Sequence, residues 1–245
     1  MARAGGKRSG RRSGEAPSVT RSPAVRVKAT GKRKPSSRQW LERQLNDPYV
    51  GEARRLGYRS RAAFKLQQLD DRFHILRPGA RVIDLGSAPG GWAQIAVARV
   101  KAVEGQGRVV GIDLLAIDPI PGMLLLRRDF LDAGAPGALR DAMGGPADVV
   151  LSDMAAPTTG HAATDHRRVV ALVEAAYGFA REILAPGGAF IAKVFQGGTE
   201  SELLAEMKRD FASVRHAKPP ASRAESAEVY VVAQGFRARN DPASA

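Results

Sequence analysis

The chain has 245 residues, of which 44% are hydrophobic, and this length and composition suit one domain with a core of its own. It contains no cysteine and only four scattered histidines, which excludes disulfides and thiolate metal sites and leads us to expect no metal centre. No apolar run approaches the roughly 20 residues that span a bilayer, and the N-terminus lacks the apolar segment of a signal peptide. The sequence therefore predicts a soluble, cytoplasmic protein with no membrane partner.

The formal charge of +13 is concentrated at the N-terminus. Residues 1–38 contain 12 lysines and arginines and one acid, a net charge of +11 that leaves +2 for the rest of the chain. This stretch is rich in Gly, Ser and Pro and poor in Leu, Ile and aromatic residues, so it cannot bury enough apolar surface to offset the entropy lost on ordering. We predict a basic, disordered arm over residues 1–35, a folded domain over residues 36–238 and a short tail over residues 239–245.

Three roles remain open for this arm. A segment rich in Lys and Arg is typical of proteins that bind nucleic-acid phosphates. A solubilising tail without any partner would have the same composition. A mitochondrial presequence is also rich in Arg and Ser and poor in acids, although this arm lacks a convincing apolar helical face.

In chain order, apolar runs alternate with helical patterns through the predicted domain. Runs rich in Val, Ile and Leu, typical of buried strands, occur at residues 81–85, 108–115, 123–129, 147–153, 188–195 and 228–236. Helical patterns occur at about residues 60–73, 92–103, 137–143, 167–184 and 199–211. The alternation predicts an α/β fold with a mostly parallel sheet covered by helices on both faces.

The last two extended stretches, at about residues 213–217 and 228–236, are joined only by a loop. This loop is too short for the helical crossover that parallel neighbours need. The two stretches therefore either pair antiparallel or lie apart in the sheet, and we expect an antiparallel C-terminal strand.

The first strand runs into the glycine-rich turn of "DLGSAPGGWAQ", residues 84–94. Gly86, Gly90 and Gly91 allow a sharp turn from strand to helix, with backbone N–H groups pointing at a bound polar group. Their order differs from the Gly-x-Gly-x-x-Gly fingerprint of dinucleotide sites. The turn thus predicts a ligand site without naming the ligand.

Acidic residues follow the next two predicted strands. Asp113 can accept hydrogen bonds from both hydroxyls of a ribose, and Asp129 can accept one from an adenine amino group while Phe130 or Trp92 packs nearby. Each acid could instead stabilise a turn at the end of its strand. Acids at successive strand ends, together with the glycine turn, favour a nucleoside pocket at the carboxyl edge of the sheet.

Six segments in this order carry a resemblance to a known family: "DLGSAPGGW", "GIDLL", "RRDF", "LSDMAAP", "KVFQG" and "SRAESAEVY". They resemble the FtsJ/RrmJ (RlmE) family of S-adenosylmethionine-dependent ribose 2′-O-methyltransferases, which implies a Rossmann-like methyltransferase fold. By this resemblance the glycine turn cradles the methionine part of S-adenosylmethionine. The cofactor contacts that the resemblance implies fall on Gly90, Trp92, Asp113, Asp129 and Asp153.

The resemblance also implies a catalytic tetrad, formed by Lys65, Asp153, Lys193 and Glu228. Lys193 is unusual on physical grounds as well, because its ammonium lies within the apolar run "AFIAKVF", where an unpartnered charge is costly. A structural ion pair, or a side chain that reaches solvent from the strand end, would also explain it. We expect a coupled tetrad in which Lys193 accepts the hydroxyl proton.

Basic residues beside the predicted tetrad are candidates for RNA contacts. Lys65 follows Arg61 by four residues on a predicted helix, so both can face one RNA phosphate, and Arg59 lies just before them. A solvated helical face is the alternative.

The flank at residues 35–66 resembles the branch of the family that modifies the bacterial large ribosomal subunit. The resemblance therefore implies a monomeric enzyme that methylates a uridine of 23S rRNA on that subunit. Methylation of tRNA and a non-catalytic role in ribosome assembly remain open. A nucleotide-dependent oxidoreductase would explain the sheet and the glycine turn but not both tetrad lysines.

Overall fold

The structure, a computed structural model, describes residues 26, 41–42, 44–156, 159–195 and 201–237, with the backbone alone at residues 162 and 163. Apart from residue 26, the predicted arm and the predicted tail lie outside the described residues. The chain divides into two compact units, Met1–Gly51 and Glu52–Ala245. Every candidate site residue belongs to the second unit.

Helices and strands alternate along most of the described chain. The helices are α1 (Pro48–Leu56), α2 (Ala62–Phe73), α3 (Gly91–Val100), α4 (Ala135–Met143), α5 (Ala162–Ile183) and α6 (Ser201–Asp210). The strands are β1 (Arg81–Leu85), β2 (Arg108–Asp113), β3 (Met123–Arg127), β4 (Ala147–Ser152), β5 (Leu184–Phe195), β6 (Phe211–Ala217) and β7 (Glu228–Phe236). No helix in the described part of the chain is long and apolar enough to cross a membrane.

The strands form one sheet in the order β3-β2-β1-β4-β5-β7-β6. Strands β1 to β5 run parallel, and β7 is antiparallel to both of its neighbours, β5 and β6. The predicted α/β fold and the antiparallel C-terminal strand are confirmed. Because the chain winds outward in both directions from β1 and β4, the carboxyl ends of these two strands form the switch point at which open α/β sheets bind ligands.

Each face of the sheet has its own core. On β1, Val82 packs in a cluster with the apolar faces of α2 and α3, whereas Ile83 and Leu85 pack in a cluster with α4, α5 and α6. Successive strand residues point to opposite faces, so strands buried on both sides need nearly continuous apolar sequence. This explains why these strands could be read from the sequence as unbroken apolar runs.

Three strands end earlier than predicted. β2 ends at Asp113 and β3 at Arg127, two residues before the predicted ends, and β4 ends at Ser152, one residue before. Leu114 and Leu115 are 63% and 65% exposed, so the apolar run of β2 continues into a loop at the carboxyl edge of the sheet. An apolar run alone does not indicate where hydrogen bonding to the next strand ends.

Candidate active site

Strand alternation places three of the four predicted catalytic side chains on one face of the sheet. Asp153, Lys193 and Glu228 each lie two positions from a residue of the core cluster under α2 and α3, and side chains two apart on a strand point the same way. Those core residues are Leu151, Ile191 and Tyr230. The fourth side chain, Lys65, comes from α2, which covers that face.

The four side chains form two ion pairs. Lys65 Nζ lies 2.6 Å from Glu228 Oε1, and Lys193 Nζ lies 3.1 Å from Asp153 Oδ1. Lys193 Nζ also donates a hydrogen bond of 2.6 Å to the main-chain carbonyl of Asp153. All four side chains are less than a fifth exposed. The structure thus brings the predicted tetrad together, and it gives the lysine within the apolar run a partner.

Tyr230, which the sequence analysis did not single out, joins the two pairs. Its hydroxyl donates to Asp153 Oδ1 at 3.0 Å and to Glu228 Oε1 at 3.3 Å. The sequence signal that could have identified Tyr230 is the spacing Glu-x-Tyr on a strand, because side chains two residues apart on a strand lie on the same face.

Burial and charge set the protonation of this cluster. Burial would raise the pKa of Glu228, but the ammonium groups of Lys65 and Lys193 and the hydrogen bonds from Lys65 and Ser222 outweigh it, so that pKa lies below its ordinary value. Burial, followed by the Asp153 and Glu228 carboxylates, raises the pKa of Tyr230 well above its ordinary value. Glu228 is therefore a carboxylate at neutral pH, and Tyr230 keeps its proton.

The loop between β6 and β7 is anchored to this cluster. Ser222 donates a hydrogen bond of 3.0 Å to Glu228 Oε1, and the Ala221 N–H donates one of 2.7 Å to Gln68 on α2. Arg61 donates to the carbonyl of Ala221. The rim of the site is thereby tied to both α2 and β7.

Arg59, just before α2, holds the opposite rim. Its guanidinium donates to the carbonyls of Asp118 and Pro119, at 2.6 Å and 2.9 Å, in the loop between β2 and β3. Arg59 and Arg61 thus both have partners within the protein. The RNA contacts expected of them stay predictions.

The glycine turn is packed too closely for side chains. Gly90 precedes α3 with a φ of +107°, and a Cβ at Gly91 would lie 2.4 Å from Ser60 Oγ. Gly86 has a φ of +78°, and a Cβ there would lie 2.7 Å from Met154 Cγ. Only glycine fits these positions, so the turn packs directly against the segments around it.

Asp113 ties this turn to the loop after β2. Its two carboxylate oxygens accept hydrogen bonds of 2.8 Å from the N–H groups of Ala88 and Leu115. Asp129 similarly accepts one of 2.9 Å from the N–H of Leu131. Both acids therefore stabilise turns at strand ends, as the alternative interpretation expected. Since a carboxylate accepts about four hydrogen bonds, both retain capacity for a nucleoside.

The two predicted aromatic residues of the pocket lie on different faces. Trp92 is buried at the start of α3, with its ring centroid 5.5 Å from that of Tyr230. Phe130 is buried in the core on the other face, 5.7 Å from Phe179 of α5. Trp92 is thus adjacent to the tetrad. The adenine contact suggested for Phe130 stays a prediction.

Asp84, at the carboxyl end of β1, is a further buried acid that the sequence analysis did not assign to the site. It is fully buried, and neither carboxylate oxygen has a hydrogen-bond partner among the described residues. Burial raises the pKa of Asp84 to about 7. The Ser87 hydroxyl opposes this rise in the pKa, and the neighbouring Asp153 and Asp113 carboxylates contribute to it. Asp84 is identified as a candidate site residue by its burial behind the glycine turn and not by its position in the sequence motif.

We expect Asp84→Asn to change the pH dependence of stability in cofactor-free protein. Because the pKa of Asp84 is higher in the folded state, the unfolded chain releases this proton first as pH rises, and the free energy of unfolding falls by about 1.4 kcal/mol per pH unit between about pH 4 and pH 7. Asparagine has no such proton. The stability of the variant relative to the native protein should therefore increase with pH and level off above pH 7.

Urea unfolding at pH 5, 6, 7 and 8 measures this difference. The exposed Asp141→Asn serves as the matched control and should give a curve parallel to that of the native protein. Parallel curves for Asp84→Asn as well would show that Asp84 is ionised in the fold at the lower pH values.

Among the described residues, no group of three or more His, Asp or Glu side chains is arranged to hold a metal ion. The carboxyl edge of the sheet carries the main-chain groups of the glycine turn, three acids around that turn and two lysine–carboxylate pairs. Such a site can bind a nucleoside-containing cofactor and handle a proton beside it.

Comparison with known proteins agrees with this chemistry. Residues 58–236 match the model of the FtsJ-like methyltransferase family. A ribosomal RNA large subunit methyltransferase E of Paramagnetospirillum magneticum is 62% identical over 98% of this chain and 100% of its own length. The protein of the same name from Parvibaculum lavamentivorans is 59% identical over 89% of this chain and 88% of its own.

The crystal structure of a Plasmodium falciparum protein described as a ribosomal RNA methyltransferase is also similar. It superposes with a TM-score of 0.62 at 28% identity, over 73% of this chain and 98% of that one. The fold and the site therefore define an enzyme of the Rossmann-like methyltransferase class. Within that class, the chain belongs to the FtsJ-like methyltransferase family, which confirms the resemblance seen in the sequence.

Proposed function

We propose that this protein transfers the methyl group of S-adenosylmethionine to the 2′-hydroxyl of a uridine in 23S rRNA, with the large ribosomal subunit as its substrate. The observation that carries the proposal is the pair of lysine–carboxylate contacts beside the glycine turn, at 2.6 Å and 3.1 Å. The relatives named as large-subunit methyltransferases, at about 60% identity, support the choice of RNA. Such a substrate would place the enzyme in the cytoplasm.

The residues around the turn fit this cofactor. S-adenosylmethionine carries a ribose, an adenine and two cationic groups, and the site offers the acids Asp84, Asp113, Asp129 and Asp153. The carboxylate of Asp84 is buried with no hydrogen-bond partner in the described part of the chain, and the glycines of the turn lie too close to their neighbours to carry a Cβ. We assign the ribose to Asp113, the adenine to Asp129, and the methionine part to Gly86, Gly90, Gly91, Trp92 and Asp153.

When bound, S-adenosylmethionine would supply an electrophilic methyl group for in-line attack by an oxygen nucleophile, with the thioether as the leaving group. The part of the protein is to hold the acceptor hydroxyl in that line and to remove its proton. Lys193 is placed for the second task, because Asp153 holds its amine at the carboxyl edge. As a neutral amine, Lys193 Nζ accepts the hydroxyl proton.

Lys65 and Glu228 form the other half of the site. The ammonium of Lys65, on the face of α2 towards the cluster, orients the acceptor oxygen or its adjacent phosphate, and Glu228 holds that ammonium. Arg59 and Arg61 extend this positive edge towards the RNA. All four catalytic side chains come from one chain, so we propose that the enzyme acts as a monomer.

The decisive experiment uses S-adenosylmethionine with a labelled methyl group and immature large subunits. We expect label in 23S rRNA, on the ribose of one uridine. Mapping the modified nucleotide identifies the target. Label in tRNA instead would assign a different substrate, and no transfer to any RNA would favour a non-catalytic assembly factor.

We also expect the N-terminal arm to contribute RNA affinity without selecting the site. Residues 1–38, which include the arm, carry a net charge of +11 on a chain punctuated by Gly, Ser and Pro. The cations of the arm can therefore neutralise phosphates but can rarely reach a base edge in fixed geometry. Removing residues 1–34 should raise the dissociation constant for large subunits and flatten its dependence on salt. The modified nucleotide and the rate at saturating substrate should not change.

Binding of full-length and truncated protein across a salt series tests this role, with methylation mapped for both. Parallel salt slopes would mean that the arm makes no phosphate contacts. A different modified nucleotide would mean that the arm selects the site.

A further inference from the structure

The position of Tyr230 follows from the order of the strands. β7 lies between β5 and β6, and its antiparallel register with β5 sets Tyr230 directly opposite Lys193. Side chains opposite each other on neighbouring strands are close enough to interact. Tyr230 is fully buried, so its hydroxyl is available only to protein groups and to whatever enters the site.

Two side chains contact the ring of Tyr230. The ring of Trp92, which follows the glycine turn, packs against it with centroids 5.5 Å apart and planes tilted by 38°. Lys65 Nζ lies over the ring, 5.8 Å from its centroid. The ring therefore has little freedom to move the hydroxyl.

The hydroxyl has one proton and two acidic neighbours. The nearest oxygens are Asp153 Oδ1 at 3.0 Å and Glu228 Oε1 at 3.3 Å, and ionised carboxylates can only accept hydrogen bonds. The shorter contact makes Asp153 the preferred acceptor. Without this hydroxyl, two carboxylates would converge on one buried point with no proton between them, which is unfavourable.

We propose that Tyr230 is a positioning residue, whose hydroxyl joins the two lysine–carboxylate pairs and holds Lys193 in the orientation that proton acceptance requires. The proposal deepens the proposed function and rests on it for its catalytic consequence. The charged and titratable groups that face Lys193 within the described residues are Asp153 after β4, Glu228 and Tyr230 on β7, and Lys65 on α2.

The direction of the effect follows from the charges. The hydroxyl takes up part of the negative charge of Asp153, so its removal leaves a carboxylate that holds the Lys193 ammonium more strongly. Deprotonation of Lys193 should then occur at higher pH. A purely structural tyrosine would affect stability but not this titration.

The primary test is Tyr230→Phe, which keeps the ring and removes the hydroxyl. NMR titration of the lysine side chains in cofactor-free protein follows Lys193 directly, and we expect its midpoint to rise by at least half a pH unit. Single-turnover methyl transfer should fall about tenfold at neutral pH, with its alkaline-rising limb displaced in the same direction. The affinity for S-adenosylmethionine, measured by calorimetry, should stay within about twofold of native.

The matched control is Tyr177→Phe. Tyr177 is also a buried tyrosine whose hydroxyl donates to a carboxylate, Asp210 at 2.7 Å, but it lies in the core cluster on the other face of the sheet. We expect this control to lose stability without any change in the Lys193 titration or in the pH profile. A folded Tyr230→Phe protein with a native Lys193 titration and a native rate would overturn the proposal.

Glu228→Gln provides a second measurement. If the two pairs are joined, removing this charge should shift the Lys193 titration in the native background, and the shift should be smaller in Tyr230→Phe. Should Tyr230→Phe not fold, an unchanged Lys193 titration in Glu228→Gln overturns the proposal, and a shift supports the coupling of the two pairs on which the proposal depends. The NMR titration requires no RNA, so it tests the role of Tyr230 independently of the proposed function. Failure of the proposed function would be seen separately, as native enzyme that methylates no RNA.

Discussion

Replacing Lys193 by alanine will lower the single-turnover rate of methyl transfer by roughly 10²–10⁴-fold, the range for a positioned acid or base. The affinity for S-adenosylmethionine should remain near native, because Lys193 contacts Asp153 and not Asp113 or Asp129, the acids proposed for the ribose and the adenine. The loss should therefore appear in turnover and not in binding.

The exposed Lys208→Ala on α6 is the matched control and should leave the rate unchanged. Lys193→Met, which keeps much of the side-chain volume, separates the loss of the amine from the loss of packing. A normal rate in Lys193→Ala would make Lys193 a structural residue and would reject the proposed mechanism.

Asp113→Ala should weaken binding of S-adenosylmethionine by about 1–3 kcal/mol, or roughly 5- to 150-fold in the dissociation constant. The variant loses affinity through the ribose contacts and also through the turn, because the Asp113 carboxylate accepts hydrogen bonds from the N–H groups of Ala88 and Leu115. Asp129→Ala should have a smaller effect, since Asp129 fixes only the N–H of Leu131 among the main-chain contacts described. Titration calorimetry measures both.

Asp141→Ala, an exposed change on α4, is the control for these two variants. Unchanged affinity in both Asp113→Ala and Asp129→Ala would show that the nucleoside lies elsewhere. An equal loss in both would mean that the turn contacts of Asp113 do not contribute to binding.

Much of the fold could be predicted because its signals are local. The apolar runs at residues 81–85 and 228–236 correspond to β1 and β7 without change, since a strand buried on both faces must be apolar along its length. The glycine turn was also predictable, because only glycine tolerates the positive φ and close packing at Gly86 and Gly90. The ends of β2 and β3 were not. The apolar Leu114 and Leu115 continue beyond the end of β2, and the predicted third strand included the charged Arg128 and Asp129, which follow the end of β3.

The sequence by itself determined the strand and helix order and the glycine turn, and through its resemblance to the FtsJ family it predicted which four residues form the tetrad. Only the tertiary structure decided that β7 lies between β5 and β6, which sets Tyr230 opposite Lys193 and between two carboxylates. It also decided that Asp84 is buried and has no hydrogen-bond partner for its carboxylate within the residues that the structure describes. The physical reason is that a sequence pattern shows which face a side chain occupies, whereas its partners come from segments far away in the chain, such as the 77 residues that separate Asp153 from Tyr230.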